Sequence, residues 1–188
     1  MKMAHYFIAI PLPKELQRFY HRWQKELQTV FAYKRWMHQE DFHITLKFLG
    51  EAEITAIDVL KEKINQTLLP KSFIIELGTI GFFGAEQHPR VLWAEVHLTE
   101  ALQKLQQHIE LAAIEAGFAK EKRGYRPHLT LAKKWKKDTL LTKEEWSRLK
   151  KHYAIPKQFN LQEIVLYKIH PQQVPSYEKA AVFPLNTF

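Results

Sequence analysis

The sequence predicts an α+β fold made of two similar lobes, and three observations carry that prediction. A polar His-x-Thr pair sits on an apolar strand pattern in Asp41-Phe42-His43-Ile44-Thr45-Leu46-Lys47-Phe48-Leu49-Gly50, and its twin recurs far downstream in Pro127-His128-Leu129-Thr130-Leu131-Ala132-Lys133. Each pair ends the same order of elements: strand Tyr6–Ile10, helix, His43 strand in one half, and strand Val91–Val96, helix, His128 strand in the other. In both halves roughly 30 residues separate the end of the first strand from the histidine, a sign of internal duplication. No linker rich in Gly, Ser or Pro divides the halves, so residues 1–188 read as one bilobal domain.

Taken in order, Tyr6-Phe7-Ile8-Ala9-Ile10 is a short buried strand closed by Pro11-Leu12-Pro13. Leu16, Phe19, Tyr20, Trp23 and Leu27 then recur at helical spacing and predict a helix from Lys14 to about Val30 with those residues inward. The first His-x-Thr strand follows, closed by Gly50, and Ile57, Leu60, Ile64 and Leu68 mark one face of a helix from about Ile54 to Leu69, stopped by Pro70. Phe73–Leu77 reads as a strand, with Gly78–Gly84 as its end or a turn carrying exposed aromatics. Arg90–Val96 is a further strand. Thr99 opens a helix to about Ala116, with Leu102, Leu105, Ile109, Ala112 and Ala113 inward and Gly117 as its cap. Lys120–Arg126 is a basic connector into the second motif strand. Thr142-Lys143-Glu144-Glu145 has the form of a capping box opening a helix to about His152. Two strands finish the chain, Asn160–Ile169 and about Ser176–Phe183, around a Pro171–Pro175 turn.

Composition narrows the chemistry. Lys plus Arg total 28 against 20 Asp plus Glu, a formal charge of +8 that favours an anionic partner such as RNA or a phosphorylated metabolite. There is no cysteine, which removes disulfides, thiolate nucleophiles and cysteine-ligated zinc and suits a reducing cytosol. The apolar run Tyr6–Ile10 is far too short for a membrane span, so the expectation is a cytoplasmic protein with no membrane partner. No apolar surface stripe or heptad is evident, which points to a monomer. A Gly-rich phosphate loop, Gly-x-Ser-x-Gly and His-Glu-x-x-His are all missing from the sequence.

Side chains alternate across a strand, so His43, Thr45 and Lys47 share one face while Ile44, Leu46 and Phe48 share the other. The same parity sets His128 and Thr130 opposite Leu129 and Leu131. Two such strands meeting in a cleft bring together two imidazoles and two hydroxyls. At one phosphodiester a neutral histidine can take a proton from the attacking oxygen while a protonated one gives a proton to the leaving oxygen. That division requires no metal or other cofactor. The hydroxyls can donate to non-bridging phosphate oxygens. Around the second motif Lys120, Lys122, Arg123, Arg126, Lys133, Lys134, Lys136 and Lys137 interleave with Tyr125 and Trp135, a composition able to track a nucleic-acid backbone and stack bases. Phe83 joins Tyr125 and Trp135 as a stacking candidate. In a regular strand Lys133 falls on the wrong parity to sit beside His128, so a phosphate role for it requires a bulge or the strand's end.

These residues resemble the two-histidine phosphoesterases, and within them the LigT-like RNA 2′,3′-cyclic phosphodiesterases. The resemblance covers nearly the whole chain: Phe7-Ile8-Ala9-Ile10-Pro11, the His43–Gly50 string, Val91-Leu92-Trp93, Arg126-Pro127-His128-Leu129-Thr130-Leu131, and Val165-Leu166-Tyr167 with Tyr177. It implies two pseudo-symmetric lobes of antiparallel sheet plus helices around a central cleft. It also implies hydrolysis of a 2′,3′-cyclic phosphate on RNA or a nucleotide to the 2′-phosphomonoester. On that resemblance His43 would be the general acid, His128 the general base, and Thr45 and Thr130 would hold phosphate oxygens. Lys133 fills the place of a basic residue after the second motif, where lysine supplies a point charge rather than a planar fork. Two alternatives stay open: a module of the same fold that binds RNA or nucleotides with little turnover, and an enzyme acting on a 2′,5′-phosphodiester or joining RNA ends.

Overall fold

The structure is a computed structural model and describes residues 3–85, 88–136 and 141–186. Among these, nine strands form one sheet and four helices pack on it. The strands are β1 Ala4–Pro11, β2 Tyr33–Trp36, β3 His43–Ala52, β4 Phe73–Ala85, β5 His88–Val96, β6 His128–Trp135, β7 Lys157–Leu161, β8 Glu163–Ile169 and β9 Tyr177–Pro184. The helices are α1 Lys14–Leu27, α2 Ile54–Gln66, α3 Glu100–Glu115 and α4 Lys143–His152, and a short 3-10 turn, Gln39–Asp41, precedes β3.

The sheet order is β7-β4-β5-β6-β3-β1-β8-β9, with β2 added alongside β6, and every strand pairing is antiparallel. Read outward from the β6–β3 junction, the two halves correspond strand for strand: β3 with β6, β1 with β5, β8 with β4, β9 with β7. The expected duplication is therefore a pseudo-two-fold, and the two His-x-Thr strands lie at its centre. The helices divide in the same way. Trp23 of α1 touches Tyr153 just past α4, with ring centroids 4.9 Å apart, while α2 and α3 pack together.

Residues 7–10 of β1 are apolar without alternation because they are buried on both faces. Ile8 and Ile10 join the main core beneath the sheet, and Phe7 and Ala9 join a second small cluster with Val165 and Tyr167 on the opposite face. Local signals act as the sequence predicts at several ends. The Thr99 hydroxyl accepts from Leu102 N–H at 3.2 Å, and Thr142 and Glu145 form the reciprocal capping box. Gly117 follows α3 with φ +90°, a left-handed conformation that suits glycine at a helix end.

Several expectations are corrected. Helix α2 stops at Gln66, because Thr67 turns its hydroxyl onto the Lys63 carbonyl at 2.8 Å and the backbone extends from there. Leu68 is consequently 82% exposed, and Leu69 takes the buried place. Helix α1 ends at Leu27, three residues before Val30. Of the two readings of Gly78–Gly84, strand end or turn, the strand holds, since the stretch continues β4, and Phe82 packs edge-on against Trp146 at 4.8 Å. Asn160–Ile169 is divided at Gln162 into β7, which pairs with β4, and β8, which pairs with β1. Gly50 does not close β3, which continues to Ala52.

Each motif strand also carries a bulge, at the same place. In the β1–β3 pair Ile8 faces Lys47 and Ala9 faces Thr45, leaving Leu46 as the extra residue. In the β5–β6 pair Leu92 faces Ala132 and Trp93 faces Thr130, leaving Leu131 extra. A bulge shifts side-chain parity by one, so everything after it changes face. Lys47 therefore leaves the His43 face, contrary to the alternation, and is buried with Glu110 Oε1 at 2.8 Å and the Ala119 carbonyl at 2.7 Å. Phe48, expected on the buried face, is 57% exposed for the same reason.

Candidate functional site

Strands β3 and β6 meet with Ile44 opposite Leu129, both fully buried beneath the sheet. Extending that antiparallel register by one residue sets His43 across from Thr130 and His128 across from Thr45. The four positions fall on the opposite face, each histidine in register with the other strand's threonine. Duplicated residues far apart in the chain thus converge on one patch.

Both imidazoles are held alike. His43 Nδ1 lies 2.7 Å from the Asp41 carbonyl, and His128 Nδ1 lies 2.8 Å from the Arg126 carbonyl. A carbonyl oxygen only accepts, so Nδ1 carries the proton in each ring and Nε2 is the nitrogen left for proton transfer. In the neutral form that nitrogen is a base; protonated, it is an acid.

Their surroundings differ. His43 is enclosed by Phe7 at 4.6 Å and Tyr177 at 5.2 Å between ring centroids, with Tyr167 at 6.3 Å. Burial, opposed in part by the Asp41 carbonyl bond and reinforced by the charges of Lys133 and His128, lowers its pKa to about 4. Among the described residues His128 has one aromatic neighbour of this kind, Phe83, edge-on at 4.8 Å, and burial lowers its pKa as well.

Phe83 rests in turn on Trp93 at 5.3 Å. Trp93 lies flat across Gly81, where an added Cβ would come within 2.2 Å of the indole Cη2. The Gly-Phe-Phe-Gly stretch is thereby explained: its first glycine makes room for the indole, and its second phenylalanine reaches His128. In the matching place of the other lobe Ala9 pairs with Val165, small where Trp93 is large.

The bulge at Leu131 settles the parity of Lys133. After it, Ala132 faces the core and Lys133 returns to the face of His128 and Thr130. Its ammonium is close enough to His43 to lower that group's pKa. Lys133 is also paired directly across β2–β6 with Arg35, and burial together with the Arg35 charge lowers its own pKa.

Arg126 is exposed and contributes its carbonyl to His128. Tyr125 is half-buried, and its hydroxyl donates to the Thr45 carbonyl at 3.2 Å, bracing the 117–127 connector against β3; burial raises its pKa. Lys134 and Lys136 are exposed, and Trp135 packs on Tyr33 at 5.0 Å rather than facing the cleft. Lys137 lies outside the described residues.

Sequence reasoning missed Asp41 and Arg35 as parts of this site. Buried Asp41 accepts Ser176 N–H through both carboxylate oxygens at 2.9 Å, and Tyr177 N–H at 3.2 Å. It therefore pins the β8–β9 hairpin, which carries Tyr177, against the turn whose carbonyl holds His43. Nothing local marks this residue, since its partners are about 135 positions away. Arg35 lies on β2, a four-residue strand too short and polar for pattern reading.

The overall arrangement, two bulged His-x-Thr strands at the centre of a pseudo-symmetric sheet, is the fold of the LigT-like two-histidine phosphoesterases. Escherichia coli LigT complexed with 3'-AMP superposes with a TM-score of 0.77 at 20% identity, covering 98% of this chain and 99% of that one. A structure from Thermus thermophilus gives 0.76 at 20% identity, covering 96% and 97%. The chain belongs to the 2'-5' RNA ligase superfamily, which it matches over residues 12–173. It is similar to the RNA 2',3'-cyclic phosphodiesterase of Bacillus subtilis, 33% identical over 183 residues and 97% of each chain. The protein of that name from Geobacillus stearothermophilus is 33% identical over 186 residues, 98% of this chain, which spans only 58% of that relative's length.

Proposed function

We propose that this chain hydrolyses the 2′,3′-cyclic phosphodiester at the end of an RNA or nucleotide to the 2′-phosphomonoester, with His43 and His128 sharing the proton transfers. The observation that carries this reading is the register about Ile44 and Leu129, which turns two carbonyl-tethered imidazoles toward one patch of the sheet. Family membership and the names of the relatives at 33% identity support the reaction class.

In the reaction a water oxygen bonds to phosphorus as the bond to the 3′-oxygen breaks. One neutral Nε2 takes the water proton, and the other, protonated, gives its proton to the departing 3′-oxygen. Resemblance assigns the base to His128 and the acid to His43. Because burial favours the neutral form of both rings, the acid must gain its proton as the phosphodiester anion enters, an opposite charge that raises an imidazole pKa. Thr45 and Thr130 donate to the non-bridging oxygens, and the Lys133 ammonium offsets the charge that develops there. Arg126 at the rim attracts the nucleic-acid backbone, while Phe83 and Tyr125 wall the cleft. All of this chemistry is done by side chains, so it calls for no metal, and the two lobes act as one domain because each supplies half of the site.

The test is incubation with adenosine 2′,3′-cyclic phosphate in excess chelator, with the product isomer identified by phosphorus NMR. Adenosine 2′-phosphate is the expected product. A 3′-phosphate, or a rate abolished by chelator, overturns the mechanism, and an absence of product overturns the activity.

A further inference from the structure

Beside the reaction centre lies a second feature that the chemistry above does not use. An open groove of about 530 Å³ runs off the sheet past Arg35 and Asp41, between α1, the 33–39 stretch and the 171–174 turn joining β8 to β9. Neither motif histidine, neither motif threonine nor Lys133 lines it. Its size falls within the range of about 300–1,000 Å³ that encloses nucleotide-sized molecules.

The lining mixes apolar side chains, Trp36, Met37 and Val174 among them, with polar and basic ones. His21, Lys34, Arg35 and His38 face it together with carboxamides, among them Gln172 and Gln173. Asp41 is the one carboxylate among the described lining residues, and its oxygens are already taken by the Ser176 and Tyr177 amides. Such a surface offers charge to phosphates and paired donors and acceptors to base edges and 2′-hydroxyls.

The groove begins where the reaction centre ends. Arg35 pairs with Lys133 across β2–β6, and Arg35 Nη2 points toward Ser176 Oγ at 3.5 Å on the groove's other bank. A cyclic phosphate at Lys133 belongs to a 3′-terminal nucleoside whose 5′-oxygen carries the rest of the strand. We propose that this groove binds the nucleotide on the 5′ side of the cyclic end, so that the chain is built for RNA termini rather than free cyclic mononucleotides. The proposal rests on the function given above.

The experiment compares kcat/KM for adenosine 2′,3′-cyclic phosphate and for the dinucleotide ApA ending in a 2′,3′-cyclic phosphate. The wild type is compared with a triple variant, Lys34→Gln with Gln172→Ala and Gln173→Ala. All three positions are exposed, so the core is untouched. The wild type should favour the dinucleotide by about ten-fold, the scale of one added base and phosphate contact. The triple variant should bring the ratio near one while the mononucleotide rate stays within about two-fold. Equal rates for the two substrates in the wild type, or a dinucleotide advantage that survives in the variant, overturn the groove and leave the activity standing.

If neither substrate is hydrolysed, the activity itself has failed, and binding decides the groove. Fluorescence anisotropy with labelled ApA carrying a 3′-phosphate should then show affinity that weakens by about ten-fold in the variant and falls with added salt. Undetectable binding by the wild type, or equal binding by the variant, overturns the groove as well.

Discussion

His43 and His128 occupy equivalent places on equivalent strands, yet one is enclosed and the other only flanked. Phe7, Tyr167 and Tyr177 surround His43, and the Asp41 carboxylate locks the hairpin that delivers Tyr177. His128 has Phe83 on one edge and an exposed Arg126 behind it. Duplication therefore supplied two copies of the tethered imidazole, and the aromatic surroundings then separated them. Differing environments bias which of two chemically identical groups holds the proton in such a relay.

Removing either ring tests the shared half of this comparison and has the largest expected effect. His43→Ala and His128→Ala should each lower turnover by roughly 10² to 10⁴-fold, measured on the cyclic nucleotide. Near-wild-type turnover in one variant would mean that the duplication is structural in that lobe and that a single histidine carries the chemistry.

The pH dependence of kcat/KM, which reports the free enzyme, sharpens the contrast. With His43 as acid and His128 as base, the reactive form carries the proton on the ring whose pKa is lowered more, so it is a minor form. Below about pH 4 both rings are protonated, and above the lowered pKa of His128 both are neutral. The expected profile is a bell whose maximum lies between pH 4 and the ordinary imidazole value of about 6.5. Replacing Lys133 with Met removes a positive charge that disfavours the His43 imidazolium, so the acid limb should move to higher pH as the rate falls by about ten-fold or more. A limb that stays in place would detach Lys133 from His43, and a flat profile from pH 5 to 9 would remove the pair altogether.

The smallest expected effect concerns the enclosure itself. Asp41→Ala strands two amides, Ser176 N–H and Tyr177 N–H, and should cost on the order of 1–3 kcal/mol for each group left buried and unpaired, read by denaturant unfolding. The matching residue in the second lobe is Arg126, which is exposed, and Arg126→Ala should leave stability nearly unchanged. Equal losses in the two variants would erase the asymmetry of the lobes.

Much of this architecture is legible in the chain. The spacing of Leu102, Leu105 and Ile109 defines α3, Thr142 and Glu145 cap α4, and the repeated strand-helix-strand order foretells the pseudo-symmetry. The failures come from a local competition in one place and from distant partners in others. Leu68 and Leu69 exchange places because Thr67 ends the helix, a local competition that periodicity does not count. Gly78–Gly84 stays open between a strand end and a turn in the sequence because the indole above Gly81 comes from the neighbouring strand.

The sequence alone determined the two motif strands, the face shared by each His-x-Thr pair and the chemistry those groups can perform, since alternation along a strand and the properties of a side chain are local. Tertiary structure decided the rest. A bulge exists only relative to the strand alongside it, and it is the bulges at Leu46 and Leu131 that sent Lys47 into the core and returned Lys133 to the cleft. Asp41, Arg35 and the aromatic wall of His43 acquire their roles from contacts made across most of the chain's length. Such long-range pairing leaves no periodic trace in the order of residues.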